Sequence, residues 1–234
     1  MLSKVTNSSI NLGTGQIINY VKANPDIQID RIQDNLTGWL LIKLKSGKIY
    51  MYNYFNNRVY LHNRIQIHFN NKICTKTIDS FDQNNINLSN QLRKYILKLI
   101  LSIGYPIDTM LGIGGEYYIY WLFLEKISNL IGISNHESII ADANYNCPFS
   151  KNYLVDYNNL PSYPVIPIVD VILLNVFQIN SNIIKYMSRI KFKKIIIISC
   201  NLSDSKLSLI SKHFHIQNIK YFNNITNLIR IIEI

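Results

Sequence analysis

The residues best suited to chemistry stand in two places in this sequence. The first is Asp108-Thr-Met-Leu-Gly112-Ile-Gly114-Gly115-Glu116, a D-x-x-x-G-x-G spacing that runs directly into a helix-like segment. Glycine lets a backbone turn tightly and approach a ligand closely, and the first N–H groups of the following helix face polar ligand atoms. An acid upstream, here Asp108, can hold a charged amino group, which suits a ligand carrying an ammonium better than one carrying a pyrophosphate. The fuller dinucleotide spacing G-x-G-x-x-G is not present, because Tyr117 occupies its last position. The same glycines would serve equally well as an ordinary strand-to-helix connection. The second place is Cys200, which closes the run Ile195 to Ser199 and so falls at the C-terminal edge of a strand, where α/β sheets bind ligands. An ionised thiol there is a nucleophile, and a buried one is a packing residue.

Those residues need a sheet to hold them, and the surrounding pattern supplies one. From about Ile107, short apolar runs alternate with helical segments: IDTMLGI, EYYIYWLFLEKISN, LIGIS, HESIIADANYN, NYLVD, VDVILLNV, SNIIKYMSRI, KKIIIIS, DSKLSLISKHF, HIQNIKYF and LIRIIEI. This alternation predicts an α/β fold, a Rossmann-like and mostly parallel sheet covered on both faces. The last two strands have no helix between them and would make an antiparallel edge. The domain spans 88–234 and opens on a helix through QLRKYILKLILSIG, with Ser89 or Asn90 as N-cap and Gly104 as stop. Ahead of it, residues 1–80 make a small β-rich subdomain. Its segment GWLLIKLKSGKIYMYNYFNNRVYLHNRIQIHF reads as antiparallel strands turning at Ser46-Gly47 and Asn56-Asn57. The Asn-rich stretch from Asp79 to Asn90 links the two parts, with a boundary near Ser80.

Composition bounds the remaining possibilities. Of 234 residues, 48% are hydrophobic and 16% charged, a balance that argues for a packed globular protein and against disorder. A net charge of +10 would draw polyanions such as RNA, although a lysine-rich, AT-biased coding sequence gives the same excess with no ligand. The most apolar stretch, Tyr117 to Leu124, is bounded by Glu116 and Glu125 and falls short of the roughly 20 residues a bilayer needs, so no membrane span is expected. The N-terminus has no apolar segment followed by a small-residue cleavage site, which makes the expected setting intracellular and cytoplasmic. Cys74, Cys147 and Cys200 are odd in number and far apart, and His136, His213 and His215 lack ligand-spaced neighbours. Neither a disulfide framework nor a metal site is expected.

The order of these pieces resembles the class I S-adenosylmethionine-dependent methyltransferases, and within them the RNA uracil-C5 methyltransferases. The resemblance covers somewhat more than half the chain. It is carried by Asp108 to Gly114, by Gly132-Ile-Ser134 with HESIIADANYN behind it, by Asp170-Val-Ile-Leu-Leu, and by Ile195 to Asn201. It implies S-adenosylmethionine as cofactor, with Asp108, Gly112 and Gly114 around its methionine end. Ser134 stands where the second strand normally offers a carboxylate to the ribose, and Asp156 follows the third strand beside the adenine. It also implies Cys200 as nucleophile: the thiolate adds to carbon 6 of uracil, carbon 5 then takes the methyl group, and a base removes the carbon-5 proton before the thiol leaves. Two family pieces differ. Asn175-Val-Phe-Gln178 stands in place of D-P-P-R, and Arg230 aligns with the glutamate that acts as base, with Glu233 nearby at another spacing. An arginine cannot accept a proton at working pH.

Over about 36–66, Trp39, Gly47, Ile49, Tyr50 and Asn53 keep the spacing of WW domains, while Leu61 and Arg64 replace the second Trp and the closing Pro. The resemblance implies a three-stranded sheet without proline recognition, and a generic β-meander fits as well. Lys43, Lys45, Lys48, Arg58 and Arg64, with Tyr50, Tyr52, Tyr54 and Tyr60, would also suit single-stranded RNA. Two functions stay open on the sequence: an RNA methyltransferase, and a catalytically inactive methyltransferase-like subunit that binds RNA or a protein partner.

Overall fold

The computed structural model describes residues 29–34, 39–44, 49–53, 58–61, 64–77, 86–124, 127–176, 178–199, 202–223 and 228–234, with backbone alone over 29–61. The chain divides into two compact units, one of residues 1–65 with 83–86 and one of 66–82 with 87–234. In the smaller, β1 (Ile29–Asp34), β2 (Trp39–Leu44), β3 (Ile49–Asn53) and β4 (Arg58–Leu61) pair in sequence order as an antiparallel meander. Ile42 lies opposite Tyr50, and Tyr50 opposite Leu61. The turns at Ser46-Gly47 and Asn56-Asn57, and the side chains that would make a WW-like or RNA-stacking surface there, lie outside what is described.

The larger unit takes in most of a hairpin, β5 (Arg64–Phe69) and β6 (Lys72–Thr77), which the sequence pattern assigns to the N-terminal part. Its turn residues Asn70 and Asn71 have φ of 43° and 62°, the left-handed pair that a two-residue hairpin turn requires. The hairpin belongs with the larger unit because β6 bonds to the helix Glu137–Asn146: the Thr75 N–H donates to Asn146 Oδ1 at 2.8 Å and the Thr77 N–H to Asp142 Oδ1 at 2.7 Å.

After α1 (Ile86–Leu101) come β7 (Thr109–Gly114), α2 (Tyr117–Trp121), β8 (Asn129–Ser134), α3 (Glu137–Asn146) and β9 (Lys151–Leu154). A short 3-10 turn at Leu160–Ser162 leads to β10 (Ile168–Asn175), α4 (Ser181–Met187), β11 (Lys191–Ser199), α5 (Asp204–Ser211), β12 (Asn218–Asn223) and β13 (Leu228–Glu233). The seven strands order as β12-β13-β11-β10-β7-β8-β9, and β13 alone runs against its neighbours. This is the mostly parallel sheet with an antiparallel edge that the alternating runs imply. Two apolar clusters cover its faces. Val171, Leu173, Ile196 and Ile198 face one, and Ile172, Leu174, Ile195 and Ile197 face the other, so strands buried on both sides appear as unbroken aliphatic runs.

Two elements differ from the pattern. α1 starts at Ile86, so Ser89 is a buried residue inside the helix and not its cap. α2 is five residues long, much shorter than the helical segment EYYIYWLFLEKISN, and all five are buried. The N–H groups of Phe123 and Leu124 turn back three residues to Tyr120 and Trp121, tightening and ending it.

At the N-terminal end of the strands, Asp170 ties β7 to β10. Its Oδ2 accepts from the N–H groups of Asp108 at 2.8 Å and Thr109 at 2.9 Å, and its Oδ1 meets Lys193 Nζ at 2.6 Å. Burial works to raise its pKa, but Lys193 and the two N–H groups outweigh it and hold the carboxyl below its ordinary value. A depressed carboxylate stabilises the fold above its unfolded pKa, and that contribution disappears as pH falls through the folded value. Asp170→Asn should therefore lose about 1–3 kcal/mol near neutral pH. Urea denaturation should find the gap between wild type and variant constant down to about pH 5 and closing below about pH 4; a gap that does not change with pH would contradict this.

Candidate ligand-binding edge

The sheet reverses its winding between β7 and β10, because β8 and β9 lie to one side of β7, and β10 and β11 lie to the other. Ligands of open α/β sheets sit at such a switch, outside the C-terminal ends of the strands. Here that edge holds the turn Gly114-Gly115-Glu116. Gly114 has φ of 99°, and a Cβ on it would collide with the Asn175 carbonyl at the end of β10. The Gly115 N–H donates to that same carbonyl at 2.7 Å. Glycine is needed here to let two segments of the protein's own backbone touch.

Glu116 follows with φ of 57°, left-handed although it is not glycine, and is buried. Arg93 Nη2 lies 2.7 Å from its Oε1 and Lys76 Nζ 3.8 Å away, both cations themselves buried. The chain then turns so that Tyr117 lies back across β7 and β8. Gly112 and Gly132 are cross-strand partners, and together they leave a slot: a Cβ on Gly112 would collide with the Tyr117 ring, and one on Gly132 with its hydroxyl and with Asn152 Oδ1. The ring is wholly buried, packs edge-on against Tyr118 at 5.9 Å and tilted against Trp121 at 4.7 Å, and donates its hydroxyl to Asn152 Oδ1 at 3.2 Å. Burial pushes its pKa well up, so it stays a neutral donor.

The residues singled out from sequence fall as follows. Asp108 precedes β7 and so lies at the opposite end of that strand from the glycine turn. Its N–H bonds Asp170, and its carbonyl accepts from Ser128 and Asn129. This corrects its assignment beside the ligand: the four-residue step to Gly112 is strand, not turn. Gly112 is likewise within β7, and Gly114 alone of the two glycines lies at the edge. Ser134 ends β8, buried, with Oγ accepting from the His136 N–H at 3.2 Å. The Tyr157 hydroxyl faces Ser134 and the Asn135 backbone; burial raises its pKa and these two contacts offset part of the rise. Asp156 follows β9, exposed, with Oδ1 accepting from the Asn158 N–H at 2.9 Å, the turn-forming role such residues often have.

Cys200 comes directly after Ser199, the last residue of β11, and itself lies outside the described residues. The other two cysteines are buried, and their thiols are pushed up to about 12, Cys147 by burial and Cys74 by burial first and then by the Glu116 charge, which leaves them unreactive. Arg230 pairs in register with Ser199, so it stands at the C-terminal end of β11. Glu233 lies at the other end of β13, held by Lys194 at 3.0 Å and Asn218 at 2.8 Å. Among the described residues no cluster of three or more His, Cys, Asp or Glu could hold a metal ion, and no helix is long and apolar enough to cross a membrane. Tyr117, Glu116, Asn175 and Tyr157 are the edge residues that sequence reasoning misses. The one signal for them is the tyrosine at the third position of the glycine pattern, where close helix-to-strand packing normally calls for glycine.

Comparison with solved structures places this architecture among the class I methyltransferase folds. The Pyrococcus abyssi tRNA (uracil-54, C5)-methyltransferase in complex with S-adenosyl-L-homocysteine matches over 94% of this chain at a TM-score of 0.64 and 12% identity. This chain spans 65% of that protein's length. The N-methyltransferase NodS from Bradyrhizobium japonicum matches over 64% of this chain and 97% of its own, at a TM-score of 0.54 and 11% identity. No protein-family model and no curated protein matches the sequence.

The slot makes a direct prediction. Gly112→Ala should destabilise the protein by about 1–3 kcal/mol through overpacking against the Tyr117 ring. Adding Tyr117→Ala should bring a further loss smaller than Tyr117→Ala causes alone, measured by chemical denaturation. Additive losses would show that the ring does not occupy the slot.

Proposed function

We propose that the larger unit is a methyltransferase-fold domain directed at RNA, acting as a subunit or binding module and not carrying out uracil-C5 transfer by itself. The observation behind this reading is Arg230. Arg230 stands beside the strand end that Cys200 follows, and in the resemblance to the uracil-C5 enzymes it takes the place of the glutamate that accepts the proton, which an arginine cannot do. The carboxylate paired with that cation, Asp204, is bound to it at 3.4 Å. RNA is supported by the net charge of +10 and by the tRNA substrate in the name of the Pyrococcus abyssi neighbour.

S-adenosylmethionine is the cofactor implied by this fold, and it would supply the methyl group. Gly114, Gly115, Ser134 and Asp156 are the residues that would hold it. Three of them already have partners of their own: the Gly115 N–H on the Asn175 carbonyl, the Ser134 Oγ on the His136 N–H, and Asp156 on the Asn158 N–H. A ligand gains only what exceeds the contacts it replaces, so we infer weak binding.

Calorimetric titration with S-adenosylhomocysteine should find weak binding to wild type and several-fold tighter binding to Tyr157→Phe, which keeps the ring and removes the hydroxyl facing Ser134. Tight binding by wild type, unchanged in the variant, would contradict the self-occupied edge. Methyl incorporation into bulk RNA should stay at the no-protein background. Incorporation that Cys200→Ala abolishes would overturn the non-catalytic reading.

A further inference from the structure

The feature that removes the uracil-C5 base also builds something. Arg230 on β13 is the cross-strand partner of both Ser199 on β11 and Tyr221 on β12, so the three side chains share one face of the sheet. Ser199 continues the alternation of Ile195 and Ile197, which places this face on the side of the second apolar cluster, to which Ile210 of α5 belongs. The first residue of α5, Asp204, touches Arg230.

The first turn of α5 is capped by Ser203, whose Oγ accepts from the Lys206 N–H at 3.4 Å; the two side chains beside it are incompletely satisfied. The Arg230 guanidinium carries five N–H donors in a plane, yet among the described residues its only ion pair is one 3.4 Å contact with Asp204, whose side chain is 94% exposed. The Ser199 hydroxyl is 2% exposed and has no hydrogen-bond partner among the described residues. Buried hydroxyls without partners are rare. The Tyr221 ring lies 5.8 Å from the guanidinium and is half exposed. A planar multi-donor cation, an unpaired hydroxyl and the N-terminal turn of an eight-residue helix, gathered at one strand end, have the chemistry of an oxyanion site. The neighbouring exposed ring adds a platform for a base.

We propose that Arg230, Ser199 and the first turn of α5 bind a backbone phosphate of single-stranded RNA, which displaces the Asp204 carboxylate from Arg230. Asp204 is a built-in competitor: one long contact holds it, and it swings into solvent without loss of packing. The proposal rests on the RNA reading above.

Fluorescence anisotropy of the full chain with a labelled oligouridylate, across a salt series, tests it. Asp204→Asn, a surface change that leaves the fold intact, should tighten binding. Arg230→Gln should weaken it and reduce the slope of log affinity against log salt by about 0.7, the share of one single-strand phosphate contact. Arg230→Lys should restore the slope with intermediate affinity. Affinities and slopes equal to wild type in Asp204→Asn and Arg230→Gln would overturn the proposal. If wild type does not bind oligouridylate, the RNA reading fails, and thermal melting in inorganic phosphate then judges the site alone. Stabilisation enhanced in Asp204→Asn and lost in Arg230→Gln keeps an anion site, whereas equal shifts in all three proteins overturn it.

Discussion

A carboxylate shut away from water must have a cation against it, and the geometry of the glycine turn follows from how Glu116 meets that requirement. It reaches Arg93 on α1 and Lys76 on β6, two elements remote from it in sequence. The reach goes with a left-handed backbone, which for a residue with a Cβ costs about 1–2 kcal/mol, and it sends Tyr117 back over β7 and β8. Neighbouring polar contacts fix the same group of elements. Tyr118 donates to Asp142 at 3.3 Å, Asp142 accepts from Thr77, and Asn146 exchanges bonds with Thr75. The hairpin, three helices and the glycine turn are thus joined through one run of polar contacts.

Those contacts change what the edge can do. A glycine turn at a switch point ordinarily lets a backbone approach a ligand, but here Gly114 approaches Asn175, and Gly112 and Gly132 make room for Tyr117. The order of strands is that of the class I methyltransferase fold, and at its switch point the glycines meet the protein's own backbone and the Tyr117 ring. On the other side of the switch, Arg230 stands beside the end of β11, and the thiols that can be described are buried and held neutral by that burial.

Most of the sheet was legible because its strands are parallel and buried on both faces. Runs such as Val171 to Leu174 and Ile195 to Ile198 have no polar face to obscure them. The hairpin β12–β13 was legible from the missing helix between its runs. The length of α2 was not, since Tyr117 to Leu124 is apolar on every side and only tertiary packing decides where such a helix ends. The place of Asp108 is illegible for a related reason: spacing from Gly112 is the same whether the step lies in a turn or along a strand, and β7 begins just after it. The assignment of β5 and β6 to the larger unit depends on Thr75 and Thr77 meeting Asn146 and Asp142, contacts across some seventy positions that local pattern does not encode.

The claim beneath all of this is that the Glu116–Arg93 pair holds the turn in place. A double-mutant cycle by urea denaturation with Arg93→Met, Glu116→Gln and the combined variant measures it. Each single change should lose about 3–5 kcal/mol by breaking a buried ion pair. The double variant should lose less than the sum, with a coupling of about 2 kcal/mol. Small single losses that simply add would contradict the account.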